Sequence, residues 1–287
     1  MRLVTVSLLV LFMASVAFAD ATDEGSQALK EERWSDAYRL LLPEARAGNT
    51  YAQYNVALML SRGLGVPQDL VQAAKWYERA AKSGDDDAKV NLGLLYAAGG
   101  PGLKRDPARA AQLYREAAEA GNGMAQNNLG AAYLKGEGVE RNDTEAIRWF
   151  TRSAEQDVAV AQNTLGALYC GGDKRPNPIK MDDDLCDKWL KRAVALGNED
   201  AKKSLFYLTS KMAEKGHTEA MHNLGGYYLM GMGTTADVDK GLEWLTKAAE
   251  AGVKQSQLIL SQLYEKGAYG VPVDSKKAAY WKSKYSK

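Results

Sequence analysis

Apolar residues recur three and four positions apart along much of the chain, as at Ala52, Val56 and Leu60 and again at Ala125, Leu129 and Tyr133. That spacing gathers them on one stripe of an α-helix. Each such stretch leads into a short glycine-bearing segment, Gly63-Leu64-Gly65-Val66 in one case and Gly136-Glu137-Gly138-Val139 in another. Glycine takes positive φ at little cost, so these segments are turns. An Ala-rich stretch follows and ends at Gly48, Gly84, Gly121, Gly197, Gly216 and Gly252, with Asp157 once in that place; the spacings are 36, 37, 36, 40, 19 and 36. A near-constant period with every repeat helical in pattern predicts a solenoid, in which each repeat buries its apolar face against its neighbours.

Within a repeat the residues fall into fixed places. The first helix carries Leu-Gly-x-x-Tyr, at Leu92-Gly93 with Tyr96, Leu129-Gly130 with Tyr133, Leu165-Gly166 with Tyr169 and Leu224-Gly225 with Tyr228. A mid-helix Gly costs about 1 kcal/mol against Ala, so its recurrence implies a close helix approach that returns more. The second helix opens on Asp69, Asp106, Asn142, Asp182, Asp237 or Asp274. Such side chains accept a hydrogen bond from a free N–H of the first turn and act as N-caps. Seven residues on stands Trp76, Leu113, Trp149, Trp189, Trp244 or Trp281. An aromatic row could be a stacking platform, but its fixed register assigns it to the core. The Gly-x-Gly turns are not phosphate loops, because the strand before and the Gly or Lys after are missing.

These features resemble the Sel-1-like repeat, a relative of the tetratricopeptide repeat with a Gly-rich turn between its helices. The likeness covers most of residues 50–287 and is fullest from Ala52 to Gly84, ending Gln72-Ala73-Ala74-Lys75-Trp76-Tyr77-Glu78-Arg79-Ala80-Ala81-Lys82-Ser83-Gly84. Residues 26–48 look like a degenerate first repeat. The resemblance implies an all-α, right-handed solenoid of helix-turn-helix repeats, about six of them full. It also implies that the first helices line a concave face holding a peptide or protein partner. Asn55, Asn91, Asn128 and Asn223 stand just before the Leu-Gly or its equivalent, with Thr164 once in that place. An amide both donates and accepts, so these residues either grip a peptide backbone or tie one repeat to the next. The variable neighbours Tyr54, Asn127, Asn163 and His222 would then supply selectivity.

The N-terminus has another purpose. Arg2 precedes an apolar run from Leu3 to Ala14, then Ala17-Phe18-Ala19, which reads as a secretory signal peptide cleaved before Asp20. The run is too short to span a bilayer core of about 30 Å. The expected divisions are therefore residues 1–19 as signal peptide, 20–49 as a degenerate N-terminal capping repeat and 50–197 as a first block of repeats. Residues 198–218 follow as a short irregular repeat with a bend, and 219–287 as a second block with a C-terminal cap. The short repeat holds no Gly or Pro between Ala201 and Ala213 and reads as one helix. Export to the periplasm or beyond would oxidise the two thiols, so Cys170 and Cys186 are expected to pair across the expanded turn Gly171–Lys180. Some exported family members carry a disulfide in every repeat; this chain departs from them with one.

Charge narrows the partners. The formal net charge is +1, and without residues 1–19 the chain carries 36 basic and 36 acidic residues. No global field draws nucleic acid, and membrane contact would be peripheral, through the basic end Lys276, Lys277, Lys282, Lys284 and Lys287. The catalytic inventory is thin. The two histidines, His217 and His222, lie five apart and so do not share one helical face, and no Ser is followed three residues on by Lys. Gly-x-Ser-x-Gly is also missing, and the clusters Asp85–Asp87 and Asp182–Asp184 lack the Gly and distal Glu of a calcium loop. No cofactor and no metal are expected. The reading is an exported adaptor that regulates envelope signalling, assembles complexes or meets host proteins. Because exported relatives have been linked to penicillin binding, the competing reading is a cell-wall hydrolase or penicillin-binding enzyme. A third is a periplasmic inhibitor of a membrane sensor.

Overall fold

The computed structural model describes residues 22–171 and 181–286, which form helices and no strand. The signal peptide and most of the expanded turn lie outside the described residues. The chain divides into two compact units, Met1–Trp149 and Phe150–Lys287. The first begins with α1 (22–30) and α2 (Trp34–Ala47). Helices α3 (Thr50–Arg62), α4 (Leu70–Lys82), α5 (Asp86–Ala98), α6 (Pro107–Glu119) and α7 (Gly123–Lys135) follow. Helix α8 (Asp143–Glu155) spans the division. The second unit continues through α9 (Ala159–Tyr169), α10 (Asp183–Ala195), α11 (Glu199–Glu214), α12 (Thr218–Met230), α13 (Val238–Glu250), α14 (Lys254–Lys266) and α15 (Ser275–Tyr285). Helices α3, α5, α7, α9, α12 and α14 are the first helices of their repeats, and the chain is an all-α solenoid.

Each turn is held by one residue with two tasks. Asp106 donates its backbone N–H to the Tyr96 carbonyl at the end of α5 (2.7 Å), and its carboxylate accepts from the Arg109 N–H in the first turn of α6 (2.9 Å). The same double contact recurs at Asp69, Asn142, Asp182, Asp237 and Asp274. One residue thereby satisfies an orphan carbonyl of one helix with its backbone N–H and an orphan amide of the next with its side chain. The first helices α3, α5 and α7 are capped by the side chains of Asn49, Asp85 and Asn122, and the irregular helix α11 by Asn198, each directly after a helix-ending Gly.

Inside a repeat the two helices meet over the Leu-Gly step. A Cβ built on Gly166 would lie 2.6 Å from Leu190 Cδ2, and one on Gly225 2.6 Å from Leu245 Cγ. Between repeats, at two of the turns, a glycine seats on the first turn of the preceding second helix. Gly138 rests on Pro107 and Ala108, and Gly65 on Trp34 and Ser35, where the Ser35 hydroxyl also donates to the Gly65 carbonyl (3.0 Å). Of the bulky row, Trp76, Leu113, Trp149, Trp189 and Trp281 are buried, whereas Trp244 is half-buried beneath the Lys247 ammonium. That row fills the core.

Cys170 closes α9, Cys186 lies on the first turns of α10, and the two form a disulfide with Cα atoms 5.3 Å apart. Their separation is 16 residues. Closing a loop of that length restricts the unfolded chain by roughly 3 kcal/mol. The double variant Cys170→Ala/Cys186→Ala is expected to lose about that much in urea unfolding, and wild-type protein in reductant should fall to the same level. Unchanged midpoints would remove the bond from the stability of this unit.

Candidate protein-interaction face

The polar residues of the first helices do different work from one another. In α3, the Asn55 amide donates to the Tyr51 carbonyl of its own helix (2.9 Å) and is buried. The Asn91 amide of α5 donates to the Tyr54 hydroxyl of α3 (2.9 Å), bridging consecutive first helices. Tyr54 sits edge-on to Tyr77, and burial raises its phenol pKa, so it remains a neutral hydroxyl that can accept. In α7, Asn127 donates to the Asn128 side chain (3.2 Å). The Asn127 Oδ1, Asn128 Nδ2 and Asn163 Oδ1 atoms are shut off from solvent with no protein partner. Thr164 bonds the Val160 carbonyl one turn back. In α12, His222 Nδ1 shares a hydrogen bond with the Ser256 hydroxyl of α14 (2.7 Å), and burial lowers the imidazole pKa, favouring the neutral ring.

A second amide series lies in the same helices. Gln53, Gln126, Gln162 and Gln257 are all buried, and each donates Nε2 to an Ala carbonyl in the last turn of the helix before it. The acceptors are Ala45, Ala118, Ala154 and Ala249, at 2.9 to 3.1 Å. The signal was present, since these Gln residues share one register two positions before the Asn or its replacement.

Two clefts open between consecutive first helices, one in each unit and at matching registers. The first, about 190 Å³, lies among α5, α6 and α7 and is lined by Leu94, Ala97, Tyr114, Asn128 and Lys135. The second, about 240 Å³, lies among α12, α13 and α14 and is lined by His222, Asn223, Gly226, Met230, Ile259 and Leu263. Leu94 and Gly226 each follow the Leu-Gly pair, and Asn128 and Ile259 each stand two beyond the buried Gln. The scaffold is therefore constant and the lining is not. Asn128, Asn223 and His222 reach these clefts; Asn55 and Asn91 are engaged within and between helices.

A model of the Sel1 repeat matches residues 50–85, 86–122, 123–158, 159–198, 218–253 and 254–283. The interval it leaves between its fourth and fifth matches holds α11. Among solved structures, the chain is similar to a protective antigen present in uropathogenic Escherichia coli strains and displaying this repeat fold, at 30% identity and a TM-score of 0.61. That match covers 98% of this chain and 63% of the antigen. It is also similar to a Sel1 repeat protein from Oxalobacter formigenes, at 27% identity and a TM-score of 0.56 over 92% of this chain and 98% of that one. A stretch of 73 residues, 25% of this chain, is 34% identical to the ERAD-associated E3 ubiquitin-protein ligase component HRD3A of Arabidopsis thaliana, of which it spans 10%. No helix among the described residues is long and apolar enough to cross a membrane.

The Asn91–Tyr54 bond is tested by a double-mutant cycle. Asn91→Ala and Tyr54→Phe should couple by about 1 kcal/mol in unfolding free energy. Additive losses would show that the two first helices are not joined there.

Proposed function

The chain belongs to the Sel1 repeat family, and from that premise we propose that it is an exported adaptor which holds a peptide or protein partner on the face lined by its first helices. Proteins of this family serve as protein-interaction scaffolds. The observation that carries the finer reading is the pair of clefts at matching registers, whose lining changes while the buried Gln and the helix caps around them stay fixed. A scaffold that varies only the lining of a repeated cleft can acquire selectivity without altering its fold. The disulfide accords with an oxidising compartment, and with it the signal peptide read from residues 1–19 supports export, the periplasm first. The name of the Arabidopsis protein, a component of a ligase, supports assembly as the task. Regulation of envelope signalling, restraint of a membrane sensor and contact with host proteins are the forms such an adaptor would take.

A photo-crosslinking amino acid placed at Asn128, in cells that make the full chain, is expected to capture one or a few proteins at stoichiometric yield. The same group at Lys75, on the outer side of a second helix, should capture none. Capture at both positions alike, or at neither, would overturn the adaptor reading. Labelling with a fluorescent penicillin distinguishes the enzyme: covalent uptake that is lost on changing a single Ser would establish a hydrolase instead.

A further inference from the structure

The two clefts differ in a way that selects a ligand. Where the first carries Leu94, the second has Gly226, and a Cβ built there meets nothing nearer than the Met230 methyl at 3.8 Å. Its backbone is helical, so the glycine is not required for the fold; its effect is to leave space. That space is bounded by the apolar side chains of Leu229, Leu245, Ile259 and Leu263. Met230 and Tyr269 stand at the cleft with 58% and 56% of their surface exposed. Tyr269 is held in the left-handed region, at φ 57°, a conformation costly for a non-Gly residue.

Beside this cleft lies a second hollow of about 230 Å³, and Asn223 lines both. Tyr227 walls the apolar cleft, and Thr209 lines the hollow. The hollow is lined by the carboxylates of Asp183, Asp184, Asp187 and Glu219, against the single ammonium of Lys191. Lys191 pairs with Asp187 at 2.7 Å and its charge also reaches Glu219, so four carboxylates face one ammonium and the His217 imidazole, a local excess of negative charge. In a chain of nearly zero net charge, this concentration beside an apolar hole is a local field with a definite complement.

We propose that the second unit holds an extended peptide segment of a partner by two anchors. An aliphatic or aromatic side chain fills the space left by Gly226, and a neighbouring Lys or Arg reaches the carboxylates of Asp183, Asp184 and Glu219. Asn223, between the two, offers an amide to the peptide backbone that joins them. This deepens the adaptor reading and rests on it. A single side chain suits a cleft of this size, and burying it supplies affinity, while the charge pair sets approach and register.

Fluorescein-labelled decapeptides of Gly and Ser, acetylated at the N-terminus and bearing one Arg and one Leu separated by one to four residues, test this by fluorescence polarisation against the full chain. At least one spacing should bind, and exchanging Arg for Glu or Leu for Ser should weaken it about tenfold or more. Gly226→Leu, which fills the hole with a helix-favouring side chain, should abolish binding without lowering the unfolding midpoint. Asp184→Asn/Glu219→Gln should weaken the Arg peptide about tenfold and remove the salt dependence of its binding. Equal binding to wild type and Gly226→Leu, or no binding at any spacing, would overturn the two-anchor site. Capture by the Asn128 crosslinker in that event would leave the adaptor standing without this site; loss of both would remove the adaptor as well.

Discussion

At Gly65, Gly138 and Gly233 a turn glycine approaches the helix of the preceding repeat so closely that it joins one repeat to the next, and much else in the fold follows from that approach. At Gly138 the backbone has φ 76° and passes so near the Pro107 carbonyl that a side chain has no place to go. The seat fixes where the next second helix begins. The cap residue then locks that start by bonding both the helix it leaves and the helix it opens. With both ends of the turn fixed, the buried Gln amide meets the carbonyls of the preceding last turn, where orphan acceptors are expected. At Gly65, Gly138 and Gly233 positive φ and lack of a Cβ are thus required together, whereas in the last turn Gly270 has open space around a built Cβ and Tyr269 takes the positive φ.

The irregular helix α11 obeys the same constraint with half the usual material. Its start is capped by Asn198 as first helices are capped by Asn49, Asp85 and Asn122. It packs against α10 before it and α12 after it. Yet Gly233, the turn glycine of the following repeat, seats on Lys202 and Phe206 within α11, where a preceding second helix would offer its first turn. One helix therefore serves as a first helix toward α10 and a second helix toward α12. The hollow that gathers Asp183, Asp184 and Glu219 is lined by all three helices.

The helical repeats could be read from the chain because period, glycine placement and apolar spacing are all local in sequence. The residues that close contacts between repeats were harder to separate, since Gln53, Tyr54 and Asn55 are adjacent polar or amphipathic residues and only packing decides which turns inward. Gln53 does so to reach the last turn of α2, whereas Asn55 turns back on its own helix. Asn recurs more conspicuously, yet the amide that joins repeats in four places is Gln. The clefts were not legible at all. They arise from the difference between Leu94 and Gly226, and a glycine after the Leu-Gly pair has no meaning until the opposing helix shows that nothing fills its space. Trp244 likewise shares its register with five buried residues and is nonetheless half-exposed, which depends on what covers it.

The most direct test compares two glycines of the first unit, both at positive φ. Gly48 has φ 104° and nothing within 4 Å of a built Cβ; Gly138 has φ 76° and the Pro107 backbone in the way. In urea unfolding of the full chain, Gly48→Ala should cost about 1 kcal/mol, the price of the backbone conformation alone, and Gly138→Ala about 3 kcal/mol or more. Equal losses would mean that the seat contributes nothing beyond its dihedral angle, and that the repeats are joined by some other contact.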